Sequence, residues 1–223
     1  MLEALMISLQ LALVTTAILL LLALPLAYLL TFKSFKGRTV LEVIIALPLV
    51  LPPTVLGYYV LMMIAPDSTT GRIWQSVFDS SLAFSFSGMV FASVLYSLPF
   101  AVQPMQQALR AIPHSWLEMA QTQGLNLKQT LLDVMLPAAK DGVLVAAALS
   151  FAHTMGEFGV VLMVGGSIPG ETKVASIALF EMVEMQQQSE AWMLALILLA
   201  VSFVMLSVVY TINRQSLNMG VGK

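Results

Sequence analysis

The sequence predicts an all-α polytopic membrane protein that crosses the bilayer five times, and three observations predict it. Hydrophobic residues make up 59% of the 223-residue chain and charged residues 10%, against about 45–50% and about 25% in an average soluble domain. Five stretches are apolar and long enough to cross hydrocarbon, which takes about 20 helical residues. The cations gather between alternate stretches, the asymmetry that orients helices in a membrane. A net charge of −2 leaves no basic field for nucleic acid. With no cysteine there is no disulfide framework, thiolate metal site or cysteine nucleophile. A transmembrane β-barrel would need ~10-residue segments of alternating polarity, and the long apolar runs exclude it.

The first predicted span, residues 5–32, is charge-free from Ala4 to Phe32. It lacks a positive n-region and is too long for the h-region of a cleaved signal peptide. The second, residues 43–65, is also charge-free but holds Pro48, Pro52, Pro53 and Gly57. Each proline removes a backbone donor and frees an upstream carbonyl. In a membrane, neighbouring helices or a water-filled cavity must satisfy the freed groups. Pro52, Pro53 and Gly57 therefore mark either a packing kink or a pathway lining. Pro99 and Pro104 pose the same choice in the third span, residues 82–109.

The fourth predicted span, residues 138–164, is interrupted by Lys140, Asp141 and Glu157. At 1.5 Å rise, Glu157 lies about 28 Å beyond Ala138, near the outer end of the span. His153 precedes it by one helical turn, so the two can share a face. Two readings stand here: an interfacial Glu–His pair that reaches water, or a gate near the outer mouth. In the second, Gly156 and Gly159 allow close helix approach. The fifth span, residues 191–212, completes the set. The fifteen methionines read as lipid-facing or packing residues, not as a metal path.

Lys33, Lys36, Arg38, Arg110, Lys128, Lys140, Arg214 and Lys223 share one side, and Arg72 and Lys173 the other. The positive-inside rule then puts the N-terminus outside and the C-terminus in the cytoplasm. Of the exterior connections, residues 66–81 form a polar loop with an amphipathic middle. Residues 165–190 open with GGSIPGETK and continue into a short helix expected at the membrane surface.

The cytoplasmic loop, residues 110–137, carries the densest local signals. Ser115 followed by Glu118 reads as a capping box opening a short helix. Gly124 is suited to end it with positive φ. Asn126 and Gln129 repeat the start signal, and Pro137 leads into the next span. Two short helices around a glycine elbow result. Arg110, Lys128, Glu118 and Asp133 sum to zero, which argues against a DNA-binding helix-turn-helix. An amphipathic connector on the membrane and a knob for a partner protein remain.

These residues resemble a known pattern. Glu118-Met119-Ala120, Gly124, Val134 and Leu136-Pro137 match in spacing the EAA loop of bacterial ABC importer permeases, with Met119 in place of the first alanine and Val134 in place of isoleucine. LPLVLPPTVLGYYVL (47–61), LAFSFSG (82–88), FAHTMGEFG (151–159) and GGSIPGET (165–172) are similar to the molybdate/sulfate/tungstate permeases, the last run more to the molybdate members. His153 departs from the pattern, which commonly has arginine there.

The resemblance implies a single five-helix permease domain like that of the methionine importers, in the bacterial inner membrane. It implies a homodimer, two cytoplasmic ATPase subunits that carry ATP and Mg, and an extracytoplasmic binding protein that delivers molybdate. Ser115, Glu118, Met119, Ala120, Gly124, Leu125 and Asn126 would dock the ATPase. Pro52, Pro53, Gly57, His153, Gly156 and Glu157 are the pathway or gate candidates. The chain has no G-x-x-x-x-G-K-[ST] motif, so ATP hydrolysis falls to a partner chain. The spans hold no Lys or Arg away from their ends, so no tight oxyanion site is expected within them. A sulfate or tungstate permease is the nearest rival. A proton-coupled transporter using His153 and Glu157, and a membrane-embedded enzyme, are rivals of other classes.

Overall fold

The computed structural model describes residues 1–220, all of its regular structure there being helical. Lys223, one of the eight cations used above for orientation, lies outside them. The first helix, α1 (Leu2–Phe32), buries Ala4, Ile7, Ser8, Leu11, Ala12, Thr15, Leu19, Ala23, Ala27 and Leu30. Their three- and four-residue spacing is one helical face. The opposite face exposes Leu2, Met6, Leu9, Leu13 and Leu21. Most small and hydroxyl side chains of α1 thus point inward with four large apolar ones, while its outward face is mainly large and apolar, as expected where the surrounding solvent is lipid.

The second apolar run is not one straight helix. It is divided into α2 (Arg38–Ala46), a 3-10 turn (Leu47–Leu49) and α3 (Pro53–Ile64), and the two halves meet at 114°. Prolines cause the break. A residue before proline is pushed out of the α region, and Pro52 accordingly sits at φ −56°, ψ 134°. Pro53 then opens α3 at its first position, where its missing N–H removes nothing. On the far side of α3, Ser68 caps α4 (Thr69–Phe78) by accepting the Gly71 N–H at 2.9 Å. This amphipathic helix exposes Ile73, Val77 and Phe78.

The third run is one unbroken helix, α5 (Phe86–Arg110), that accommodates both Pro99 and Pro104. After it come α6 (His114–Thr122), α7 (Leu127–Gln129), a π turn (Thr130–Met135) and α8 (Leu136–Ala138). The fourth run divides again. Helix α9 (Lys140–Met155) ends at Gly156, and α10 (Gly159–Gly165) resumes after a three-residue break. The segment Leu127–Ala138 meets α9 at 75°. The chain closes with α11 (Ala175–Glu184) and α12 (Gln188–Gly220).

Helices α1, α5 and α9 pack on one another as the centre of the bundle; α12 covers α9, and α10 joins α3 to α5. Helix α11 forms where a surface helix was expected, but it is packed against α1 and α12 and buries Ala175, Ile177 and Ala178. Its N-terminal amide at Ala175 donates to the Ser8 hydroxyl of α1 at 2.7 Å, which ties it in. Helices α1, α5 and residues Gln188–Ser207 are each long and apolar enough to cross a membrane, and the two bent pairs bring the possible spans among described residues to five.

Candidate functional site

The elbow between α6 and α7 is built almost wholly from backbone hydrogen bonds. The Gly124 N–H donates to Gln121 O at 2.9 Å and the Leu125 N–H to Ala120 O at 3.0 Å. This double closure, a Schellman motif, needs a left-handed residue at the turn, and Gly124 has φ +73°. The capping box at Asn126 is reciprocal: Gln129 N–H donates to Asn126 Oδ1 at 3.0 Å, and Asn126 N–H to Gln129 Oε1 at 2.9 Å.

The expected capping box at Ser115 does not form. Pro113, extended at ψ 134°, is itself the cap, so α6 begins at His114 and leaves Ser115 two positions past the cap. Glu118 instead pairs with His114, Oε1 to Nδ1 at 3.0 Å, on the exposed face. Ser115, Glu118, Met119, Gly124 and Asn126 are exposed and Leu125 is half-buried. Ala120 is buried beside Leu117, which belongs to the core cluster of Leu30, Ile112, Met135 and Ala139. Ala120 is therefore an anchor for the elbow rather than part of its outer face. A cavity of about 380 Å³, lined by Tyr28 and Phe32 of α1 and by Lys33 just after it, lies beneath it.

Four of the six pathway candidates, all but Pro52 and Gly57, line one cavity of about 590 Å³. Pro53, Thr54, Tyr96, His153, Gly156 and Glu157 contribute to its wall. Close packing fixes its sides. A Cβ on Gly159 would stand 2.9 Å from Pro53 Cβ, and one on Gly57 would stand 2.8 Å from Met163 Cβ. Gly159 and Gly57 thus bring α10 and α3 together. Gly156 does not serve that purpose: it is exposed, and a Cβ there would meet nothing nearer than a carbonyl at 3.7 Å. Pro52 sets the bend that places Pro53 but is exposed itself.

His153 and Glu157 do not form the expected pair. The helix ends between them, so the i, i+4 relation is lost. His153 Nδ1 lies 2.8 Å from Ser97 Oγ, and that hydroxyl lies 3.1 Å from Thr154 Oγ1. The imidazole stacks on Phe100 at 4.0 Å and leans on Tyr96 at 4.7 Å. Glu157 is 5% exposed, not interfacial. Its backbone carbonyl accepts from Ser176 Oγ at 2.5 Å, which satisfies a group freed by the break. The carboxyl of Glu157 and the buried hydroxyl of Ser93 on α5 lie near each other, but among the described residues no well-formed hydrogen bond joins them or reaches either.

Ser97, Tyr96 and Ser93 carried no signal in sequence, being single polar residues in an apolar run. The same holds for a cluster on the long connection before α11. Glu181 of α11 pairs there with Lys173 and accepts from the Ser167 hydroxyl. The Lys173 ammonium first, and Ser167 second, hold the Glu181 carboxyl below the usual carboxylate range. Thr172, fully buried, closes the intervening turn by donating to Gly165 O at 2.7 Å.

The comparisons place this helical bundle among transport subunits. Residues 5–217 match the family of binding-protein-dependent transport system inner membrane components, and the chain belongs to that family. It is therefore a multi-pass inner-membrane transport component rather than an enzyme. Among its relatives, the molybdenum transport system permease protein ModB of Azotobacter vinelandii is 42% identical, over 96% of this chain and 94% of that one. The sulfate transport system permease protein CysT of Escherichia coli K12 is 30% identical, over 85% of this chain and 68% of that one. In fold the chain is similar to a bacterial alginate ABC transporter solved with its periplasmic protein, with a TM-score of 0.68 and 17% identity over 98% of this chain and 78% of that one.

Proposed function

We propose that this chain is the membrane subunit of an ATP-driven molybdate importer. The observation that carries the reading is the 42% identity to a molybdenum permease over nearly the full length of both chains. A sulfate permease is the second reading, favoured by the 30% identity to CysT. The elbow at Gly124 would be the docking knob for a cytoplasmic ATPase, which supplies ATP and Mg. Two copies of this chain, two ATPase subunits and an extracytoplasmic binding protein would make up the complex, set in membrane lipid. Cation placement supports an outside N-terminus and a cytoplasmic C-terminus.

The mechanism follows from where the backbone is broken. Docking at an exposed helical elbow transmits closure of the ATPases to α8 and α9 through the π turn. The joints at residues 50–52 and 156–158 let α3 and α10, which are locked together at Gly57 and Gly159, move against α5 and α9. Such a movement opens the cavity alternately to either side. Uptake of molybdate by the complex reconstituted in liposomes tests this. Uptake should require ATP, survive a proton uncoupler and resist a large excess of sulfate. Uptake that persists without ATP but collapses with the uncoupler would overturn the importer reading. Suppression by sulfate would move the substrate assignment to CysT-like transport.

A further inference from the structure

Glu157 is the least expected group in the molecule. It sits at the break between α9 and α10, 5% exposed, with the buried Ser93 hydroxyl near its carboxyl and no well-formed hydrogen bond among the described residues. Native proteins rarely leave buried polar atoms without partners, and each case calls for a role. An ionised carboxylate sealed in this way costs several kcal/mol unless a cation pairs with it. Of the titratable groups around it, Tyr96 and His153 line the same cavity. Lys173, on the connection before α11, is engaged with Glu181, Arg110 lies at the far end of α5, and Tyr58 and Tyr59 of α3 are exposed. No cation is positioned for Glu157 among the described residues.

We propose that Glu157 acts as a neutral carboxylic acid whose O–H donates a hydrogen bond to the tetrahedral oxyanion as it crosses the cavity. The inference rests on the importer reading above and names the residue that meets the cargo. A dianion stripped of water needs donors along its path, and a fixed positive charge would hold it. A neutral acid gives a donor without that trap. It also explains why a carboxyl can stand on the path of an anion at all, since ionised it would repel the cargo. Gly156, free of close neighbours, is the joint that turns the carboxyl toward the cavity when α10 moves.

The test uses the whole complex with its ATPase and binding protein, measuring molybdate uptake and ATPase co-purification. Glu157→Gln, which keeps a donor and can never ionise, should transport within twofold of wild type. Glu157→Leu, similar in size without a donor, should lose tenfold or more while still assembling. As a second readout, wild-type uptake should fall relative to Glu157→Gln as the pH is raised. Loss in Glu157→Gln equal to that in Glu157→Leu would overturn the proposal, as would parallel pH profiles for wild type and Glu157→Gln. Wild type with no ATP-dependent molybdate uptake would take down the importer reading as well.

Discussion

His153 is held by two contacts of different kinds: a 2.8 Å hydrogen bond to Ser97 and a stack on Phe100. His153→Phe keeps the stack and leaves Ser97 its second partner, Thr154. The expected loss of stability is about 1 kcal/mol, that of one hydrogen bond, with ATP-dependent uptake preserved. Thermal unfolding and uptake by the reconstituted complex check this. Abolished uptake in an assembled variant would instead favour proton coupling through the imidazole. Sequence singled out His153 and Glu157 because polar residues are costly in an apolar run. It could not supply their partners, because Ser97 is 56 residues away. It also misplaced Ser115, since Pro113 alone can start a helix and the usual Ser–Glu signal then falls out of register.

At the scale of elements, the elbow and the clamp before α11 make separate predictions. Proline cannot adopt φ +73° or donate the Gly124 N–H, so Gly124→Pro breaks the turn. Glu118→Arg reverses a charge on the exposed face without touching the core. Both variants should insert in the membrane normally yet lose co-purifying ATPase and ATP-driven uptake; unchanged uptake in both would sink the docking assignment. The clamp is pH-sensitive in a defined sense. Because Glu181 is held below its ordinary pKa, its contribution is complete above the unfolded value of about 4.3 and is lost as pH falls through the folded value. Protection of residues 165–174 against hydrogen exchange, corrected for the intrinsic pH dependence of amide exchange, should be high at neutral pH and fall in acid. In Glu181→Gln it should already be low at neutral pH.

For the whole molecule, the distribution of charge bears on affinity. Neither Lys nor Arg lines the 590 Å³ cavity, and a tight dianion site needs such groups or several aligned amides. Titration of the detergent-solubilised subunit with molybdate should therefore show no submicromolar binding. Tight binding without the binding protein would contradict the view that selectivity lies chiefly in that partner. Breaks in the apolar runs matter at this scale too. Charge-free length predicts that a segment can cross a bilayer, but it is blind to direction. The 114° turn before α3 and the interruption at residues 156–158 come from local backbone and packing.

Sequence alone determined that this is a helical membrane protein, where its apolar runs lie and that a glycine elbow divides the loop after α5. Those properties follow from composition, hydrophobic run length and turn chemistry, all of which are local. The tertiary structure decided which candidates meet. It brought Pro53, His153, Gly156 and Glu157 to one cavity, sent Ala120 inward and buried the Glu157 carboxyl without a cation among the described residues. The reason is physical: in an apolar chain nearly every residue can be buried, so hydropathy does not choose neighbours. That choice falls to small residues and broken backbone, which set how closely two helices can approach.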